Sequence, residues 1–250
     1  MLELNLPALA KLVERLDYAP CFVTVSGAHL YGFPSPDSDV DLRGCHQLAL
    51  EDVVGLSLPG ETSERQFDLH GTEVDLVSHD LGKYFRLLVR NNGYVLEQIF
   101  SPLVVIGAEF LAELRPLAQR CITRHHYHHY RGFFATQRRM LEREQPRRVK
   151  SLLYAYRVLL TGIHLLRTGE VEAHLPRLEE DYRLGFIQEL IAAKRAEKIA
   201  DPNLDWTFHD AELSRLEARL ESEYQASRLP EERDRAGVNQ LLVSKRLGQA

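Results

Sequence analysis

A chain of 250 residues, 44% of them hydrophobic, can bury a full core as one large domain or two small ones, which excludes a disordered protein. Apolar runs such as those at 103–106 and 158–160 fall far short of the roughly 20 residues that a membrane-spanning helix needs. A formal charge of −5 does not suit a surface that grips nucleic acid everywhere. Locally, however, Arg124, Arg131, Arg138, Arg139, Arg143, Arg147, Arg148 and Lys150 are opposed only by Glu142 and Glu144, and this basic stretch would welcome a phosphate-bearing ligand. The first ten residues lack the pattern of a secretion signal, so a cytoplasmic location is the expectation. Cys21, Cys45 and Cys121 are odd in number and show no paired spacing, which reads as ordinary buried thiols rather than a disulfide framework or zinc ribbon.

In chain order, Leu6, Leu9, Leu12, Val13 and Leu16 recur at helical spacing and predict an amphipathic helix that ends before Pro20. Residues 21–25 form a compact apolar run, expected as a buried strand. Residues 26–38, with Gly27, Gly32, Pro34 and Pro36, read as mostly irregular. Asp39 to Arg43 alternates charged with apolar, the period of a half-buried strand. Alternating runs at 65–70 and 72–78, parted by Gly71, predict an antiparallel hairpin. From Leu81 the pattern turns helical, and residues 103–106 fit one more short strand. Helices are expected over 109–121, 123–143, 147–167, 184–199, 210–224 and 235–246, with residues 221–234 polar enough for a loop. The expected fold is α+β, with a small mixed or antiparallel sheet and helices over 1–108, then an all-helical region over 109–250.

Two features carry chemistry. Asp39 and Asp41, two apart on a strand, direct their carboxylates to one face, and Asp75 lies on a following strand able to join them. Such acids repel unless a cation neutralises them, and magnesium, which favours oxygen ligands and phosphates, does so. Upstream, Ser26, Gly27, Ala28, His29, Leu30, Tyr31 and Gly32 follow a buried strand, where small residues let backbone amides approach an anion. Together these describe in-line phosphoryl or nucleotidyl transfer with two metals.

The run Gly27-Ala28-His29-Leu30-Tyr31-Gly32, followed by Pro36-Asp37-Ser38-Asp39-Val40-Asp41-Leu42-Arg43-Gly44, resembles the signature of the DNA polymerase beta-like nucleotidyltransferase superfamily, and within it the bacterial and phage group with a helical C-terminal region. The resemblance implies two magnesium or manganese ions bound by Asp39 and Asp41. It gives Asp75 the catalytic metal and the activation of the attacking hydroxyl, and Ser26, Gly27, Ala28, His29, Tyr31 and Ser38 the nucleoside triphosphate. The family's turn usually reads Gly-Ser, and Ala28 replaces that serine, leaving Ser26 or backbone amides to hold the phosphate. Lys150, Tyr154 and Arg157 share a helix stripe whose spacing suits a salt-bridged surface or interdomain face as well as a phosphate site; the resemblance implies the nucleotide-binding role, with Lys150 and Arg157 on triphosphate oxygens and the leaving pyrophosphate.

The expected activity is transfer of a nucleoside monophosphate to a hydroxyl on a nucleic-acid 3′ end, a protein or a small molecule. The alternative is a non-catalytic nucleotide sensor or partner-binding module, for which Ala28 is the hint. The run His125, His126, His128 and His129 has no Cys or carboxylate at zinc spacing, so it is read as packing and phosphate contact. Arg157 and His164 echo the spacing of a HEPN ribonuclease element, a short match of little weight.

Overall fold

In the computed structural model, which describes residues 4–196 and 204–248, a mixed five-stranded sheet is followed by a long helical region. The strands are β1 (Pro20–Val25), β2 (Val40–His46), β3 (Thr62–Leu69), β4 (Thr72–Asp80) and β5 (Val104–Ile106), in the order β3-β4-β2-β1-β5. β2 and β4 run parallel, and the other neighbours are antiparallel. The connection from β2 to β4 passes through the short helix α3 (Leu50–Val54) and the edge strand β3. β3 and β4 join at His70 and Gly71, both with positive φ (57° and 85°), the two-residue turn whose twist suits a hairpin. The Asp68 carboxylate accepts the Gly71 amide at 3.0 Å and fixes that turn.

Alternation decides which face is core. Val40 and Leu42 of β2, Val74 and Leu76 of β4, and Val23 and Val25 of β1 pack with Leu9 and Val13 of α1 (Leu6–Val13), the helix anticipated from its leucine spacing. On the opposite face β1 is covered too. The Phe22 ring lies 5.3 Å from Tyr84 of α4 (Leu81–Leu88), and the Thr24 hydroxyl donates to the Gln98 carbonyl of α5 (Gly93–Phe100) at 3.2 Å. Farther along that face the cover thins, and Asp41, Arg43, Asp75 and Val77 are only half-buried. The single helical stretch read from Leu81 onward is two helices, because Asn91 turns left-handed (φ 57°) and Asn92 caps α5 by accepting from the Tyr94 amide at 3.0 Å.

The chain forms two compact units. One comprises the described residues within Met1–Leu30, Asp37–Cys121 and Glu232–Ala250, and so includes two helices from beyond residue 108: α6 (Ala108–Gln119) and α12 (Arg235–Arg246). At the end of α12, Arg246 holds both oxygens of Asp80, the N-cap of α4, at 2.6 and 2.7 Å, and donates to the Leu48 carbonyl at 2.8 Å. The other unit comprises Tyr31–Pro36 and the described residues of Ile122–Glu231. Its axis is α8 (Val149–Thr168), buried on nearly every side among α7 (His126–Arg143), α10 (Ile187–Arg195) and α11 (Trp206–Ala226). The polar tract at 221–234, read as loop, is helical as far as Ala226. The helix read over 184–199 is α10, and residues 197–199 lie outside the described residues. A short helix that the periodicity did not announce, α9 (Leu175–Tyr182), buries Leu175 and Leu178, with Pro176 tolerated in its first turn.

Burial would raise the Asp80 carboxyl, but Arg246 and the amides of Leu48 and Gly82 hold it below the ordinary carboxylate value. A depressed folded pKa means that this stabilisation is present above the unfolded value, about 4, and is lost as pH falls through the folded one. Asp80 is 1% exposed, so Arg246→Ala leaves a buried charge unpaired. The variant is expected to lose about 3 kcal/mol at neutral pH and to show a flatter acid-side decline, measured by urea unfolding across pH.

Candidate active site

The parallel ladder between β2 and β4 sets Asp41 directly opposite Asp75. Direct partners in adjacent strands share a face about 4.8 Å apart, so both side chains leave the half-covered face together. Arg43, two residues along β2, joins them there: its guanidinium donates to the Asp41 carboxylate at 2.7 Å and to the Asp75 carbonyl at 3.2 Å. Sequence reading did not place Arg43 in the site, although its i+2 spacing from Asp41 carried that signal. Asp39 stands one residue ahead of β2 and is exposed.

The turn after β1 is pressed against the same carboxylate. The Ser26 amide donates to the Asp41 carbonyl at 2.7 Å, and Gly27 takes φ +61° as it opens α2 (Gly27–Tyr31). A Cβ on Gly27 would fall 1.9 Å from Asp41 Oδ2, so only glycine lets the turn and the acid occupy these positions. The segment expected to be irregular is therefore helical at its start. Ser26 and Ala28 are buried, while His29 and Ser38 are half-buried.

Among the described residues, no group of three or more His, Cys, Asp or Glu stands ready to hold a metal ion. What the ladder does gather is a pair of carboxylates on one face, the oxygen donors that magnesium and manganese favour. On donor chemistry the residues fit such an ion. Thr62, His79 and Lys83 lie farther along the open face: the Thr62 hydroxyl meets His79 Nδ1 at 3.1 Å and accepts from Lys83. Burial first, and then the charge of Lys83, push His79 down to about 4, so it is neutral at physiological pH.

The remaining expected site residues belong to the helical unit. Lys150 is exposed, Tyr154 half-buried and Arg157 fully buried, so their shared stripe on α8 runs from surface to interior. The Arg157 guanidinium lies 4.0 Å over the Tyr31 ring, and the Tyr154 ring stands T-shaped to Tyr31 and Phe33 with centroids 5.8 and 5.4 Å away. Tyr31, Tyr154 and Arg157 thus converge, and Lys194 secures the same segment by donating to the Phe33 carbonyl at 2.9 Å and the Ser35 hydroxyl at 2.7 Å. The histidine run is dispersed. His125 pairs with Glu231 at 2.7 Å, His126 is buried beside Thr123, His128 packs on Tyr224, and burial pushes His129 down to about 4. His164 faces Asp181 at 3.8 Å and packs on Tyr182.

A mixed sheet with a glycine turn pressed on the first acidic strand, a second acid in register beside it and a helical C-terminal region defines a DNA polymerase beta-like nucleotidyltransferase. The chain belongs to the RNA repair pathway DNA polymerase beta family, whose sequence profile matches residues 1–244. An uncharacterized protein of Methanocaldococcus jannaschii is 34% identical over 154 residues, which are 62% of this chain and 63% of the relative. The similarity therefore spans less than two thirds of that relative's length. A nucleotidyltransferase-like protein from Exiguobacterium sibiricum superposes with a TM-score of 0.32 at 12% identity, over 87% of this chain and 72% of its own.

Gly27→Ala puts a methyl group onto the Asp41 carboxylate at a backbone angle that alanine resists. It is expected to cost about 1–3 kcal/mol of stability, read from the urea midpoint; an unchanged midpoint would mean that the turn does not press on Asp41.

Proposed function

We propose that the protein transfers a nucleoside monophosphate from a nucleoside triphosphate to a hydroxyl acceptor and releases pyrophosphate. The observation that carries this reading is the register of Asp41 with Asp75 beneath the Gly27 turn. In it, Asp39, Asp41 and Asp75 hold two magnesium or manganese ions. Bound there, the ions would neutralise the triphosphate and favour ionisation of the attacking hydroxyl.

The chain's own residues have separate parts in this reading. Ser26, Gly27, Ala28 and His29 seat the triphosphate through the turn, with backbone amides in place of the hydroxyl that Ala28 lacks. Asp75 orients the attacking hydroxyl and draws off its proton. Arg43 already donates to the Asp41 carboxylate, which keeps that side chain oriented before substrate arrives. Lys150, Tyr154 and Arg157 are assigned to the triphosphate on the strength of their common stripe on α8 and the family resemblance.

For the acceptor, the family's designation as an RNA repair group supports an RNA terminus over a protein or small molecule. The basic stretch agrees in part. Arg124 pairs with Glu231, Arg138 with Glu142 and Arg147 with Asp210, while Arg143, Arg148 and Lys150 stand exposed, which suits a short strand rather than a long duplex.

The test offers each labelled triphosphate with magnesium or manganese and RNA, DNA and protein acceptors. Wild type is expected to label RNA ends and release pyrophosphate. Asp41→Asn, with an unchanged circular dichroism spectrum, should fall on the order of 10²- to 10³-fold or more. Triphosphate binding without pyrophosphate release in the presence of any acceptor would replace this reading with the nucleotide sensor.

A further inference from the structure

The three cysteines, unpaired in their spacing, are not equivalent in the fold. β1 and β2 pair with Phe22 opposite Cys45 and Pro20 opposite His46, so Cys21 is the extra residue at an irregularity in the ladder. That irregularity sets Cys21 beside its cross-strand neighbour Cys45, close enough for the two thiols to interact, while the Cys45 thiol itself donates to the His46 carbonyl at 3.9 Å. Cys21 is partly exposed and Cys45 fully buried, so a solvent-borne oxidant meets one sulfur of the pair first. We propose that Cys21 and Cys45 are an oxidisable dithiol, in which a hydroperoxide oxidises Cys21 and Cys45 resolves it to an intramolecular disulfide.

The surroundings assign these roles. The neighbouring Cys45 thiol lowers the Cys21 thiol, against its burial and the charge of Asp80, and Arg246 and Lys245 of α12 add to the lowering. Burial pushes Cys45 well up, which keeps it a thiol until a sulfenic acid forms beside it. The Cys21 thiolate attacks the peroxide: an S–O bond forms, the O–O bond breaks, and the leaving hydroxide takes a proton to become water. The Cys45 sulfur then attacks the Cys21 sulfur: the S–S bond forms, the S–O bond breaks, and the departing hydroxide leaves as water with the Cys45 proton. Two thiols and one hydroperoxide thus yield one disulfide and two waters when the oxidant is hydrogen peroxide. The bond closes the loop that carries Gly27, Asp39 and Asp41. Cys121, buried near Asp234 and pushed up to about 11 by that burial, is an internal control.

The full-length protein is treated with hydrogen peroxide, alkylated without reductant and digested with trypsin, which cuts after Arg43 between the two cysteines. The expected product is the Cys21 peptide joined to the Cys45 peptide, lighter by two hydrogens and released by dithiothreitol, with Cys121 alkylated. Cys21 and Cys45 both alkylated, Cys21 over-oxidised beside a free Cys45, or a bond between two chains would each overturn the proposal. In Cys45→Ser, dimedone is expected to trap a sulfenic acid at Cys21 that the wild type does not accumulate. Equal trapping in both would also overturn it, and the wild-type peptide map decides alone if the variant does not fold.

Discussion

Everything in the candidate site depends on one backbone relation, the parallel pairing of β2 with β4. A parallel ladder fixes both register and face, so Asp41 and Asp75, 34 residues apart in sequence, emerge as direct neighbours. A slip of one residue would turn Asp75 into the core and bring a valine or leucine to the open face, exposing the apolar set that packs on α1. The chemistry and the core therefore enforce the same register. The turn at Gly27 adds a third constraint, because its backbone leaves no room for Asp41 to move toward it.

The same unit is closed by its distant C-terminal part. Asp80 ends β4 and caps α4, and Arg246 from α12 neutralises it at a position almost sealed from water. Gln47 bonding to the Lys245 carbonyl and Lys245 pairing with Glu113 tie the last turn of α12 to the β2 exit and to α6. Arg120 pairs with Asp234, the residue that caps the start of α12. Both ends of that helix are thus anchored by ion pairs to parts of the chain more than one hundred residues earlier.

Local pattern made much of this readable. The alternation around Asp41 and Asp75, the hairpin at Gly71 and the span of α12 are written in residues close together in sequence, where period and turn chemistry operate. Legibility failed where the deciding partner is remote. The change to helical composition near residue 108 marks a change of secondary structure, but α6 packs on β1 and α12 on α4 through contacts that no window of sequence contains. Cys21 and Cys45 looked unrelated because their meeting depends on the β1–β2 ladder and its irregularity. The break between α4 and α5 was hidden because both helices bury apolar residues at the same period, and only Asn91 and Asn92 mark the interruption.

Arg43 is the instructive omission, because it settles an electrostatic difficulty that the acidic pair creates. Two carboxylates side by side on a partly covered sheet face repel, and a like-charge cross-strand pair weakens a ladder. Arg43 lies on that face because it is two residues beyond Asp41, and its fork reaches both the Asp41 carboxylate and the backbone of Asp75. The strand thereby supplies its own counter-charge to the Asp41 carboxylate, while at Asp75 it is the backbone carbonyl that accepts. A guanidinium so placed is also oriented by three acceptors, counting the Leu42 carbonyl at 2.8 Å, which limits its freedom to neutralise anything else. The negative character that remains at Asp41 and Asp75 is thus moderated rather than abolished, which in the proposed reading lets the carboxylate pair stay folded and still attract a divalent ion.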